Sequence, residues 1–199
     1  SDLLLELTQE LPDPHASLGD LRLLTRAEAE IVNGRAAGAI EPLQALLART
    51  PDNTWANVVL GNALAAEQRY EESRECFERA AALRPGWLEV VLNLARLSAA
   101  TGRTEQALES YATAVQIDGT QSDLWLEAAQ AHQGLRQFDE AIALLERGLL
   151  EPELDTGTDP LEEALARLCL QSGHLDKGRR HLQAARAARP DDTRLTVLE

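Results

Sequence analysis

The chain has 199 residues, 44% of them hydrophobic and 26% charged, and a formal net charge of −14 at neutral pH. That charge argues against nucleic acid, which demands a basic surface, and the sequence has no apolar run of the roughly 18 residues that a transmembrane helix needs. The two cysteines, Cys76 and Cys169, have no metal-ligand spacing and fall in segments that an elongated array of stacked units would hold apart, so both read as small hydrophobes.

The first 19 residues stand apart from the rest of the chain. Leu3, Leu4, Leu5, Leu7 and Leu11 have the spacing of a short amphipathic helix, ended by Pro12-Asp13-Pro14. Such a helix either caps the apolar edge of the next element or docks on another copy or a partner. The chain contains no methionine, so it reads as a fragment or a processed product.

From Asp20 onward, five segments line up on one another at a spacing of 34 residues: 20–53, 54–87, 88–121, 122–155 and 159–192, with a short tail at 193–199. The second is the clearest, with Leu60-Gly61, Leu64, Tyr70, Ser73, Phe77, Ala80 and Pro85. Its equivalents one period on are Leu94-Ala95, Ser98, Thr104, Ala107, Tyr111, Ala114 and Gly119. Three extra residues, Thr156-Gly157-Thr158, interrupt the register once before it resumes at Leu165-Ala166. A fixed period in this range means stacked supersecondary units. Small residues recur where two helices of one unit must meet: Gly61, Ala95, Ala129 and Ala166 in the first halves, and Ser73, Ala107, Ala141 and Gly178 in the second. Between the halves lie turns such as Thr101-Gly102-Arg103 and Ser172-Gly173-His174, and Pro51, Pro85 and Pro190 close their units. Within each half, apolar residues fall three and four apart, giving amphipathic helices that are roughly 20 Å long and marginal by themselves. The first unit is the most degenerate. Pro42 falls inside its second helix, where a proline costs about 3 kcal/mol, so that helix is expected to kink or to start near Glu41.

These residues resemble the tetratricopeptide repeat, whose pattern is a tryptophan, a leucine-glycine pair, a tyrosine, and then alanine, aromatic, alanine and proline. Trp125 sits where the family tryptophan belongs, while the equivalent positions hold Leu23, Asn57, Val91 and Glu162. The resemblance implies an all-α, right-handed superhelical solenoid of antiparallel helix pairs, in which the first helix of each pair lines a concave groove. It also implies a protein or peptide partner bound there.

The groove-facing residues on first helices form two rows. Val58, Leu92 and Leu126 give an apolar ladder, and Asn62, Arg96, Gln130 and Arg167 a polar one, with Trp55 and Asn93 beside them. An apolar strip next to hydrogen-bonding side chains suits an extended peptide or an amphipathic helix. The carboxylate clamp of chaperone-binding relatives is matched only by Asn62 and Asn93. Its basic positions hold Val58, Asp123 and Glu127, so the clamp is broken and its two acidic positions would repel a carboxylate. The asparagine ladder of O-GlcNAc transferase is matched by Asn93 alone. An acidic stretch (Glu151, Glu153, Asp155, Asp159, Glu162, Glu163) precedes a last helix bearing Lys177, Arg179, Arg180, Arg186 and Arg189. That helix is either a solvated convex face or a docking patch for acidic groups.

No catalytic constellation stands out. Of the histidines at 15, 132, 174 and 181, His132 occupies a packing position and none completes a zinc set. Gly34 to Gly38 is a helix–helix turn, not a nucleotide loop. The expectation is a non-enzymatic interaction scaffold without a cofactor, in the cytoplasm. The alternatives are a targeting or regulatory region of a larger enzyme, or a self-assembling homo-oligomer. Arginine outnumbers lysine 18 to 1, which points to a GC-rich bacterial genome.

Overall fold

The computed structural model describes residues 17–189, which form ten α-helices and, among the described residues, no strand. In chain order they are α1 (Leu18–Val32), α2 (Ala37–Arg49), α3 (Thr54–Ala66), α4 (Tyr70–Leu83), α5 (Leu88–Ala100), α6 (Thr104–Ile117), α7 (Ser122–Gly134), α8 (Phe138–Gly148), α9 (Asp159–Gln171) and α10 (Leu175–Ala188). They make two compact units, Ser1–Leu97 and Ser98–Glu199. The leucines of residues 3–11, His15, Pro190 and the tail at 193–199 lie outside the described residues.

Local chemistry sets the helix ends. Ser17 and Asp20 form a reciprocal capping box, so α1 begins at Leu18, slightly ahead of the repeat boundary read at Asp20. Asn53 caps α3 by accepting from the Ala56 amide at 2.8 Å. The turn inside each helix pair closes in one way. In the second pair the Arg69 amide donates to the Leu64 carbonyl at 2.8 Å and the Gln68 amide to the Ala65 carbonyl at 3.0 Å. The same two bonds recur around Gly34, Gly102, Arg136 and Gly173. This double closure requires a left-handed residue at its centre. Glycine supplies it at three of the five turns, whereas Gln68 and Arg136 adopt φ of 60° with a side chain attached.

Of the two outcomes expected for the second helix of the first pair, a start near Glu41 does not occur. Helix α2 starts at Ala37, a turn before Glu41, with Pro42 inside it. The proline removes only the bond to the Gly38 carbonyl, and Gly38 is an exposed residue of the first turn, where carbonyls are open to solvent.

The small residues do the packing that the period implies. A Cβ on Gly61 would lie 2.5 Å from the Phe77 ring, and the Ser73 hydroxyl donates to the Gly61 carbonyl at 2.8 Å in the buried contact between α3 and α4. In the second unit a Cβ on Gly148 would meet Leu161 and the Trp125 ring at 2.8 Å. Around these contacts lie fully buried leucines: Leu24, Leu43 and Leu46 in the first unit, and Leu124, Leu145 and Leu161 in the second. Each such side chain contributes about 1.5–3 kcal/mol by burial, which offsets the marginal stability of single short helices.

The loop that carries the three extra residues has a role. The loop after α8 returns to the start of α7, where the Asp155 carboxylate accepts from the Ser122 amide at 2.9 Å and its own amide donates to the Thr120 carbonyl at 2.9 Å. Asp155 also accepts from the Thr156 amide at 2.8 Å. It is thus a helix N-terminal cap rather than a free member of an acidic stretch.

Candidate partner-binding face

In the first unit the side chains of interest stand on α1, α3 and α5. The Trp55 indole N–H donates to Glu28 at 2.7 Å, and the indole also packs on the core cluster of α1, α2 and α3. Glu28 is absent from the sequence-derived ladder, yet it falls one period before Asn62 and so is its first rung. The degenerate first repeat concealed it. Glu89 lies close enough to feel both Glu28 and Arg96. Although much of its surface is accessible, the protein around it withdraws enough water to raise its carboxyl pKa, Glu28 adds to the rise, and Arg96 partly opposes it. Asn62 and Asn93 are half-buried and Arg96 is exposed. The amide nitrogen of Asn93 is buried and has no hydrogen-bond partner.

The apolar ladder needs correction. Val58 is fully buried, packed with Phe77, Ala80, Val90 and Leu97, and Leu92 is buried as well. Neither presents a surface to a ligand. First helices contact one another directly, as α1 does α3, and that contact absorbs the positions flanking the groove. Only Leu126 of the three stays half-exposed.

In the second unit Leu126, Gln130 and Arg167 line one small cleft of about 70 Å³, together with Gln133 and Ala164. The Arg167 guanidinium is held by Glu163 one turn away at 2.8 Å, and the other Glu163 oxygen accepts from Arg189 at 2.9 Å. Gln133 donates to Gln171 at 2.7 Å across α7 and α9. Glu127, at a position where the chaperone clamp needs a base, accepts from the Tyr111 hydroxyl at 3.1 Å.

The charges of the last helix are partly engaged within the unit. Arg189 pairs with Glu163, His181 with Glu162 at 2.6 Å, and Lys177 with Glu146 at 2.8 Å. His132 meets Gln137 at 2.9 Å at the end of its own helix. Both cysteines are buried, and burial pushes the Cys76 thiol up to about 11, far from thiolate reactivity. Among the described residues no group of His, Cys, Asp and Glu could hold a metal ion, and no helix is long and apolar enough to cross a membrane.

Helix pairs in tandem, with polar side chains gathered on first-helix faces, define a helical-repeat interaction scaffold. The chain belongs to the tetratricopeptide repeat family, whose profile matches residues 31–96 and 99–157, more than half of its length. Its fold is the all-α solenoid of antiparallel helix pairs seen in solved relatives. MamA from Desulfovibrio magneticus RS-1 is similar at 14% identity and a TM-score of 0.70, over 86% of this chain and 96% of that one. The putative kinesin light chain repeats of Podospora anserina give 23% and 0.70, over 87% and 96%. TTC0263, a tetratricopeptide protein of Thermus thermophilus, gives 23% and 0.60, over 89% and 95%. At these identities the likeness concerns the fold. Comparison with curated proteins gives no match.

Proposed function

We propose that this chain is a non-enzymatic scaffold that holds an extended peptide or a helix of a protein partner on its first-helix faces. In the first unit the contacts are Trp55, Asn62, Asn93 and Arg96, and in the second Leu126, Gln130 and Arg167. The observation that carries the reading is the Asn93 amide nitrogen, buried and without a hydrogen-bond partner on a half-buried first-helix side chain. A buried donor without an acceptor costs about 1–3 kcal/mol, and a backbone carbonyl of a bound peptide recovers it.

Selection from a random dodecapeptide display library, followed by titration of the most enriched peptide, tests this. Asn93→Ala should weaken binding about tenfold, or 1.4 kcal/mol, without destabilising the free chain, because nothing in the free chain satisfies that amide nitrogen. Arg96→Ala combined with Arg167→Ala should weaken it further. Peptides whose affinity is unchanged by all these substitutions would place the site elsewhere.

A further inference from the structure

The repeat position that holds the buried Trp125 indole in the second unit holds Asn57 in the first, and Arg147, which lies over that ring, corresponds to Arg79. Beside Asn57 is a cavity of about 300 Å³ whose lining includes Leu47, Asp52, Arg79, Ala82 and Leu83. Asn57 itself is fully buried. Its amide nitrogen donates to the Asn53 and Pro51 carbonyls at 2.9 and 3.1 Å, while its side-chain oxygen is buried with no hydrogen-bond partner. Turning the amide over would lose both bonds and set the oxygen against two carbonyls. The site therefore offers apolar walls and one acceptor in want of a donor. A ring carried by residue 57 itself would not fit as Trp125 does. A Cβ on Gly148 would meet the Trp125 ring at 2.8 Å, and Ala80, at the position of Gly148, carries that methyl.

We propose that this cavity receives the indole of a tryptophan on a partner polypeptide. None of the first-helix contacts named above lines it, so the site does not rest on them. A cavity of this size is at the lower end of the range for small ligands and accommodates one flat bicyclic ring. The indole N–H supplies the donor that the Asn57 oxygen lacks, and phenylalanine brings no donor at all. Arg79 is exposed and reaches only Glu75, at 4.0 Å, so its guanidinium is placed to cover the face of an incoming ring as Arg147 covers Trp125. Leu83, Ala82 and Asp52 are exposed at the rim, which leaves the partner's backbone outside, on the surface formed by the ends of α2 and α4.

Methyl NMR spectra of the leucine-labelled full chain, titrated with end-blocked Gly-Trp-Gly, test the proposal. The peptide should shift the Leu47 and Leu83 methyl resonances. It should bind about tenfold more tightly than the same peptide carrying benzothienylalanine, which keeps the ring shape and lacks the N–H. Arg79→Ala, a change at an exposed side chain, should weaken binding about two- to fivefold. Asn57→Trp with Ala80→Gly, which gives α3 and α4 the pairing of Trp125 with Gly148, should fill the cavity and abolish the shifts. If that pair does not fold, the Arg79→Ala chain and the N–H-free peptide still decide. Unmoved Leu47 and Leu83 methyls at the solubility limit of the peptide overturn the proposal, and so does equal affinity for the two peptides. Binding of free indole with exclusion of the peptide overturns the assignment to a partner chain.

Discussion

Asn57 and Trp125 stand two repeat periods apart and make the same hydrogen bond. The Asn57 amide donates to the Pro51 carbonyl at 3.1 Å, and the Trp125 indole donates to the Gly119 carbonyl at 2.8 Å. Each acceptor lies six residues before its donor, in the turn leading into the helix, and both side chains are fully buried. The position thus requires a buried N–H that ties down the preceding turn, and the ring is one way to supply it. Asparagine does so with less volume. Its carbonyl oxygen is left without a partner, and a cavity of about 300 Å³ opens beside it, whereas Trp125 has Arg147 over its ring at 5.3 Å.

Removing either donor should therefore be costly in the same manner. Asn57→Ala leaves two carbonyls, those of Pro51 and Asn53, without their side-chain donor and should destabilise by about 1–3 kcal/mol. Trp125→Phe keeps most of the apolar contact and loses the bond to Gly119, for roughly 1–2 kcal/mol. Urea unfolding of both variants checks this. If Trp125→Phe is neutral, the shared bond is not what the position selects.

Gly61→Ala should destabilise by about 1–3 kcal/mol, because the new methyl overlaps the Phe77 ring and the buried Ser73–Gly61 bond resists any widening of the helix pair. Phe77→Leu in the same chain should recover part of that loss. A double-mutant cycle in which the two changes are simply additive would show that the ring can move aside.

At the left-handed turn positions, Arg136→Gly should raise stability by about 0.5–1 kcal/mol. The strain of a side chain at φ of 60° outweighs the extra freedom that glycine gives the unfolded chain. Gly102→Ala, at the equivalent turn one period earlier, should cost a similar amount. Equal thermal midpoints for parent and Arg136→Gly would mean that the exposed arginine is held by contacts worth as much as the strain.

Acid should unfold the chain partly through its turn carboxylates. Asp118, accepting from Thr120 and Gln121, and Asp155, accepting chiefly from Ser122, are held below the ordinary aspartate range. Their contribution is complete above the usual value near pH 4 and is lost as pH falls through the depressed native values. Asp118→Asn with Asp155→Asn should flatten the acid limb of a stability–pH curve. Glu89 has the opposite sign. Its raised native pKa penalises the folded state above that value and not below the ordinary glutamate range, so Glu89→Gln should stabilise at pH 7 and be neutral at pH 3.

Much of this architecture is legible in the spacing of residues. The contacts at Gly61 and Ser73, the turns at Gly102 and Gly173 and the proline closures all follow from one period. A start near Glu41 was misjudged from Pro42 because the proline's cost depends on which carbonyl loses its donor, and that carbonyl is at an exposed first turn. Val58 and Leu92 misled for a different reason. A face opposite the paired helix can look outward or onto the neighbouring first helix, and one helix viewed alone does not distinguish the two. Asp155 read as part of a charge run, since nothing local says that a loop will turn back to cap α7. Gln130 and Arg167 do meet at one cleft, since polar positions on first helices are not taken up by packing, and Glu28 escaped the ladder because its repeat lacks the other family residues.

The loop that returns to Ser122 brings the two ends of one repeat together. The backbone leaving α8 comes within a hydrogen bond of the backbone that leads into α7, and Thr156, Gly157 and Thr158 are exposed at the outside of that junction. A guest domain with adjacent termini could be spliced in there without parting the helices on either side. The site is a ready position for an inserted reporter, and one at which a repeat array can acquire new modules.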